Sequence, residues 1–380
     1  LSGFLKGKSL GGVSSGLQLL AFSRRHTNPK LAARSSQPTA FFLSSPHQIE
    51  QQVLSIFRTN QLLYSILLLM YAALLHLSVF VLREAWTPVA PGVFSAWVYQ
   101  LLGGASGMSA EITAILLLTA QAAGINAIVL EHRLGEEQNL FPGLFYILIS
   151  SMLPGMMHLS PALMGNTFLI IAMSELFRTY KNPQASGGIF NVGFWTAVAS
   201  LFVPAYLVFL ILGFVGLNSL RGLDLKERLM LLSGAVVPYG LAGVVMFWNG
   251  QLLNGIHTQF QEAFAVASFV TITGFSFWAA ASGFSLLVLL ALTQFGGLVY
   301  RKTIQVQKKV SLLYWMLLIG GLSTLVIKGI QIENWLSVAI PLGIVLGFVF
   351  SNLPRRWSES LHLMLLATVL ILHYKQFLLP

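Results

Sequence analysis

From Leu62 onward the chain is a succession of apolar segments, each about the length of a membrane-crossing helix and nearly free of charge. A helix needs roughly 20 apolar residues to cross a hydrocarbon core of about 30 Å, and fewer where the bilayer is locally thinned. On that basis spans are expected near 62–82, 112–130, 140–157, 164–177, 189–203, 205–220, 229–248, 283–300, 310–327, 335–351 and 358–375. The pair within 189–220 can also be read as one broken hairpin pivoting at Pro204. Composition supports the same class. Hydrophobic residues make up 56% of the 380 and charged residues 9%, too few charges to cover a soluble fold of this size. The expected fold is an all-α polytopic integral membrane protein with about 11 transmembrane helices in a single domain over 58–380.

Charge gives the orientation. The chain carries 22 Lys and Arg against 12 acids, in short clusters between apolar runs. Such clusters mark loops on the anionic cytoplasmic leaflet rather than a nucleic-acid surface. With the N-terminus inside, 19 basic residues fall on the cytoplasmic side; only Arg83, Lys328 and Lys375 fall outside. Adding a twelfth span at 263–282 would change that split to 15:7. That segment and Gly92–Leu102, with Trp97 and Tyr99, are therefore expected on the outer face, in the interface or dipping back into protein. The C-terminus is placed outside, with the lipid bilayer as the main partner.

Residues 1–57 are rich in Ser and Arg and hold no acid before Glu50. They read as a basic, disordered extension, with a native start expected near Val53; an organellar transit peptide is the alternative.

Several activities lack their residues. The sequence has no phosphate-cradling G-x-x-x-x-G-K-[ST] and no H-E-x-x-H. With no cysteine there is no disulfide, thiolate metal site or thiol nucleophile. Charge within the spans is sparse, which argues against an ion-coupled transporter. What remains is the outer face, with Glu84 after the first span, Glu111 at the start of the second, His158 in the turn between the third and fourth, and Glu262, His257 and Glu333. Sugar transfer from a polyprenyl phosphate needs a base for the acceptor hydroxyl and positive charge for the leaving phosphate, and it calls for no cofactor. Glu84 is the candidate catalytic base and Arg83 the phosphate partner, with Glu111 and His158 as further substrate-binding candidates. Each also has a plainer reading. Arg83 and Glu84 can be a solvated pair, Glu111 a helix-dipole partner, and His158 a turn residue before Ser160-Pro161. Glu175 reads as an ion pair with Arg178, Gly343-x-x-x-Gly347 as a small-residue packing face, and Pro142, Pro154, Pro238 and Pro341 as kinks.

The stretch Phe57-Arg58-Thr59-Asn60, one span and Arg83-Glu84 resembles the opening of GT-C-type membrane glycosyltransferases, in which a catalytic acid follows the first helix. The run from Leu140 to Tyr180 and the run from Ile189 to Leu217 resemble later parts of that superfamily. A closer resemblance, over about residues 53–375, is to a family of uncharacterised bacterial polytopic inner-membrane proteins. It rests on F-R-x-N, on F-N-x-G-F-W-x-x-x-A-S-L-F from Phe190 to Phe202, and on Pro238-Tyr239. These resemblances imply a GT-C-like arrangement in a bacterial inner membrane and a polyprenyl-phosphate-linked sugar as substrate. The sequence departs from the GT-C pattern in having a lone Glu84 and no outer Asp-x-Asp; its one aspartate is Asp224. A non-catalytic scaffold with membrane-protein partners in an envelope assembly, or a carrier of lipid-linked substrates, are the competing readings.

Overall fold

The computed structural model describes residues 62–82, 86, 92–105, 107–136, 139–222, 224–261, 275–300, 302–326 and 332–378. The expectations for 1–57, Arg83, Glu84, Glu262 and the first part of 263–282 lie outside these residues. Within the described residues the fold is all helical, without strands. Twelve helices have ten or more residues: α1 (Leu62–Leu82), α2 (Val93–Leu102), α3 (Met108–Glu131), α4 (Phe141–Ser150), α5 (Pro161–Arg178), α6 (Ser186–Phe202), α7 (Leu210–Leu220), α8 (Leu225–Trp248), α9 (Phe275–Thr293), α10 (Ile304–Leu325), α11 (Leu336–Asn352) and α12 (Arg355–Leu378). Each of the eleven apolar segments is helical over most of its length. Three helices among the described residues are long and apolar enough to cross a membrane: α3, α8, and α11 with its leading turn from Ile332.

Several of the remaining segments are short or interrupted for local reasons. The third expected span, 140–157, is a ten-residue helix that ends at Ser150. A 3-10 turn at Pro154–Met156 follows. Pro142 and Pro154 thus open elements rather than kink them, because a helix start does not miss the N–H that proline lacks. Pro238 and Pro341 do lie inside helices. At 189–220 the chain breaks as the hairpin reading expected: α6 ends at Phe202, and a 3-10 turn at Pro204–Phe209 leads into α7. The helix expected from 283 begins at Phe275, so residues 275–282 belong to α9. The segment at 92–102 forms α2, which is packed onto the bundle. Gly92 N–H donates to Phe202 O at 3.0 Å, and Tyr99 OH donates to Leu159 O at 2.6 Å.

Helix starts follow from sequence. Ser160 accepts from the Leu163 N–H ahead of Pro161, and Asp224 accepts from the Lys226 N–H to open α8. The core lies around α4 and α11. Every residue of α4 is buried, as are nearly all of α11. These two helices approach closely because Gly343 and Gly347 carry no side chain. A Cβ on Gly343 would sit 2.8 Å from Tyr146 Cα, and one on Gly347 2.6 Å from Pro142 N. The small-residue face read from the sequence is therefore a backbone crossing, stabilised by dispersion at short range. Gly193 of α6 and Gly234 of α8 make a second crossing of the same kind.

Gly347→Ala should lower stability by about 1–3 kcal/mol, since backbone must shift to admit the methyl group. Gly321→Ala, where nothing lies within 4 Å of the added atom, should leave stability unchanged or raise it slightly. Thermal unfolding of both variants in detergent checks this. Equal effects would remove the crossing from the account.

Candidate functional site

α3 and α5 run side by side in the same direction, joined through the shorter α4, and side chains tie them at three depths. At their N-terminal ends Glu111 Oε1 lies 2.7 Å from His158 Nδ1, with side-chain exposures of 10% and 8%. Ten residues along α3, Gln121 Nε2 donates to Leu163 O and Thr167 Oγ1, both at 2.7 Å, and Gln121 Oε1 accepts from Tyr146 OH at 2.5 Å. At the far end Arg178 meets Glu131 at 2.9 Å and Glu175 at 3.0 Å. The rise of 1.5 Å per residue puts Glu131 about 30 Å from Glu111, the thickness of a hydrocarbon core. Pairs that include a carboxylate thus sit at both ends of α3, and neutral hydrogen bonds lie at mid-depth.

The Glu111–His158 pair is the candidate site. Glu111 is in the first turn of α3, and the break between α4 and α5 carries His158 to it. The Nδ1–H of His158 donates to the carboxylate, which leaves Nε2 with no protein hydrogen bond among the described residues. Trp86 stacks on the imidazole with ring centroids 5.0 Å apart and planes 13° from parallel. The second carboxylate oxygen of Glu111 is buried without a partner among the described residues. Glu333, also buried, has one such oxygen as well. Such an imidazole, fixed in tautomer by a carboxylate and open at its other nitrogen, can take a proton from a hydroxyl. No group of three or more His, Asp or Glu able to hold a metal ion forms among the described residues.

Of the four sequence candidates, the structure brings Glu111 and His158 together. Arg83 and Glu84 lie outside the described residues, although Trp86, two positions on, is placed against His158. Sequence reading missed the neutral web beneath the pair. Asn166 Nδ2 donates to Leu336 O at 2.8 Å and Tyr206 OH to Asn166 Oδ1 at 3.1 Å, extending the Gln121–Tyr146 bond to α11 and the turn before α7. Lone Gln, Asn and Tyr residues inside apolar runs were the available signal, because such groups must find protein partners in a bilayer. It also missed Lys309, which is buried with Nζ 3.1 Å from His132 Nδ1 at the end of α3. Burial, and then the Lys309 charge, push His132 down to about 4. The ring is therefore neutral at pH 7 and accepts from the ammonium.

Residues 88–378 match a family of unknown function, DUF6427, and the chain belongs to that family. No curated protein and no solved structure matches it.

Removing one partner of a buried hydrogen bond to a carboxylate strands the other, at a cost of at least about 1–3 kcal/mol. Glu111→Ala and His158→Ala should each destabilise the protein. Their double variant should cost at least about 1 kcal/mol less than the sum, measured by denaturant unfolding in detergent. Strict additivity would mean that the two side chains do not interact.

Proposed function

We propose that this chain is a polytopic membrane transferase that moves a sugar from a polyprenyl-phosphate carrier to a hydroxyl acceptor on the non-cytosolic face. The observation that carries this reading is the buried, oriented Glu111–His158 pair at one end of α3, with its stacked Trp86. An indole beside a polar pair suits a sugar ring, whose C–H face packs on aromatic surfaces while its hydroxyls seek hydrogen bonds. In the reaction the acceptor oxygen attacks the anomeric carbon and the bond from that carbon to the phosphate oxygen breaks. The phosphate leaves with the bonding electrons, and the acceptor proton passes to His158 Nε2. Glu111 stabilises the imidazolium so formed. Glu84 steadies positive charge developing on the sugar, and Arg83 meets the departing phosphate. With the base assigned to His158, the lone acid after the first helix need not perform both tasks. The proposal places eleven spans in a GT-C-like arrangement in a bacterial inner membrane, N-terminus inside and C-terminus outside.

The test uses the full chain in liposomes with a panel of polyprenyl-phosphate sugars, followed by release of free polyprenyl phosphate. His158→Gln should lower turnover by about 10²–10⁴-fold, the usual contribution of a positioned base. Glu84→Gln and Arg83→Gln should lower it as well. Wild-type protein inactive on the whole panel, or His158→Gln as active as wild type, would contradict the assignment.

A further inference from the structure

A cavity of about 590 Å³ lies at the other end of the bundle, between the turn that follows α5 and the turn that precedes α8. Its charged lining is Lys181, Arg221, Asp224 and Glu227. Arg221 is already committed. Its Nη1 donates to Thr179 O at 2.9 Å and Asn182 O at 2.5 Å, and Nε donates to Glu227 Oε1 at 2.7 Å. These bonds neutralise both side chains and clamp one turn to the other. Lys181 makes no ion pair among the described residues, and its ammonium lies 5.7 Å from the centre of the Tyr180 ring. Its backbone is left-handed, with φ 52°, a conformation that costs a side-chain-bearing residue energy and is retained mainly where the surroundings impose it. Asp224 gives one carboxylate oxygen to the Lys226 N–H at 3.0 Å and meets no cationic side chain among the described residues. The cavity thus presents one uncommitted cation and one uncommitted anion.

We infer that this cavity holds the headgroup of a zwitterionic aminophospholipid, its phosphate against Lys181 and its ammonium against Asp224. One charge of each sign matches a headgroup that carries both, and neither a simple anion nor a simple cation satisfies the pair. The adjoining surface points to a lipid rather than a soluble phosphate. α8 starts beside the cavity, and Leu225, Leu229, Leu232 and Val236 are 71%, 58%, 41% and 67% exposed. This i, i+4, i+7, i+11 stripe runs away from the cavity along one helix face, where acyl chains would lie. The site is at the end of the bundle opposite Glu111 and does not depend on the transferase reading.

The test is native mass spectrometry of the full chain, released from nanodiscs containing equal phosphatidylethanolamine, phosphatidylglycerol and phosphatidylcholine. Phosphatidylglycerol lacks the amine, and the methylated ammonium of phosphatidylcholine cannot donate a hydrogen bond. Wild-type protein should retain phosphatidylethanolamine about fivefold over each, the most that one exposed ion pair supports. Lys181→Asn tolerates the left-handed backbone and should reduce that retention about fivefold. Asp224→Asn keeps the cap of α8 and should erase the preference for phosphatidylethanolamine over phosphatidylglycerol. Equal retention of the three lipids by wild type, or the wild-type pattern in both variants, overturns the site. Soluble phosphoethanolamine binding as tightly as the diacyl lipid overturns the membrane-lipid assignment.

Discussion

Gln121 holds this bundle together at mid-depth. Its amide reaches α5 through Leu163 O and Thr167, and it accepts from Tyr146 of α4. Asn166 and Tyr206 carry the connection to α11 and to the turn before α7. In a hydrocarbon surrounding there is no water to satisfy such groups, so an alternative packing would strand several of them at about 1–3 kcal/mol each. Apolar side chains do not discriminate among packings in this way, because lipid tails solvate leucine as well as a neighbouring helix does. The neutral web therefore specifies which helices are neighbours, and the glycine crossings then set how closely they approach.

The site follows from that arrangement. With α3 and α5 held parallel, whatever begins α3 meets whatever precedes α5. Glu111 and His158 are 47 residues apart in the chain and adjacent for this reason. The shortness of α4 matters equally. A full-length third helix would continue past Ser150, whereas the break there and the turn at Pro154 return the chain toward α3. At the opposite end the same parallel packing joins Glu131 to Arg178 and leaves the Arg221 clamp to organise the adjoining turns.

Much of this was legible in the sequence. Apolar runs read as helices because their length and lack of charge leave few other options. Glu175 with Arg178, and the Gly343–Gly347 face, were readable from helical spacing alone. Glu111 and His158 were singled out individually, but their contact was not, since pairing depends on the register of two helices that are not consecutive. The neutral web and Lys309 with His132 were missed for related reasons. A Gln or Tyr in an apolar run looks like a tolerated exception until its partners are placed. A lysine beside a span looks like a loop charge until it is found buried against an imidazole.

The proposed chemistry requires the Glu111–His158 pair and the Glu131–Arg178 pair to lie at opposite faces of one membrane. Because the chain has no cysteine, a single introduced thiol reports position cleanly. Ser109→Cys in the first turn of α3 and Glu136→Cys just beyond its end, both at exposed positions, would be probed in intact cells with a membrane-impermeant maleimide. The Ser109→Cys variant should react from outside, while the Glu136→Cys variant should react only after the membrane is opened. Both variants reacting from the same side, or the reverse order, would contradict this account.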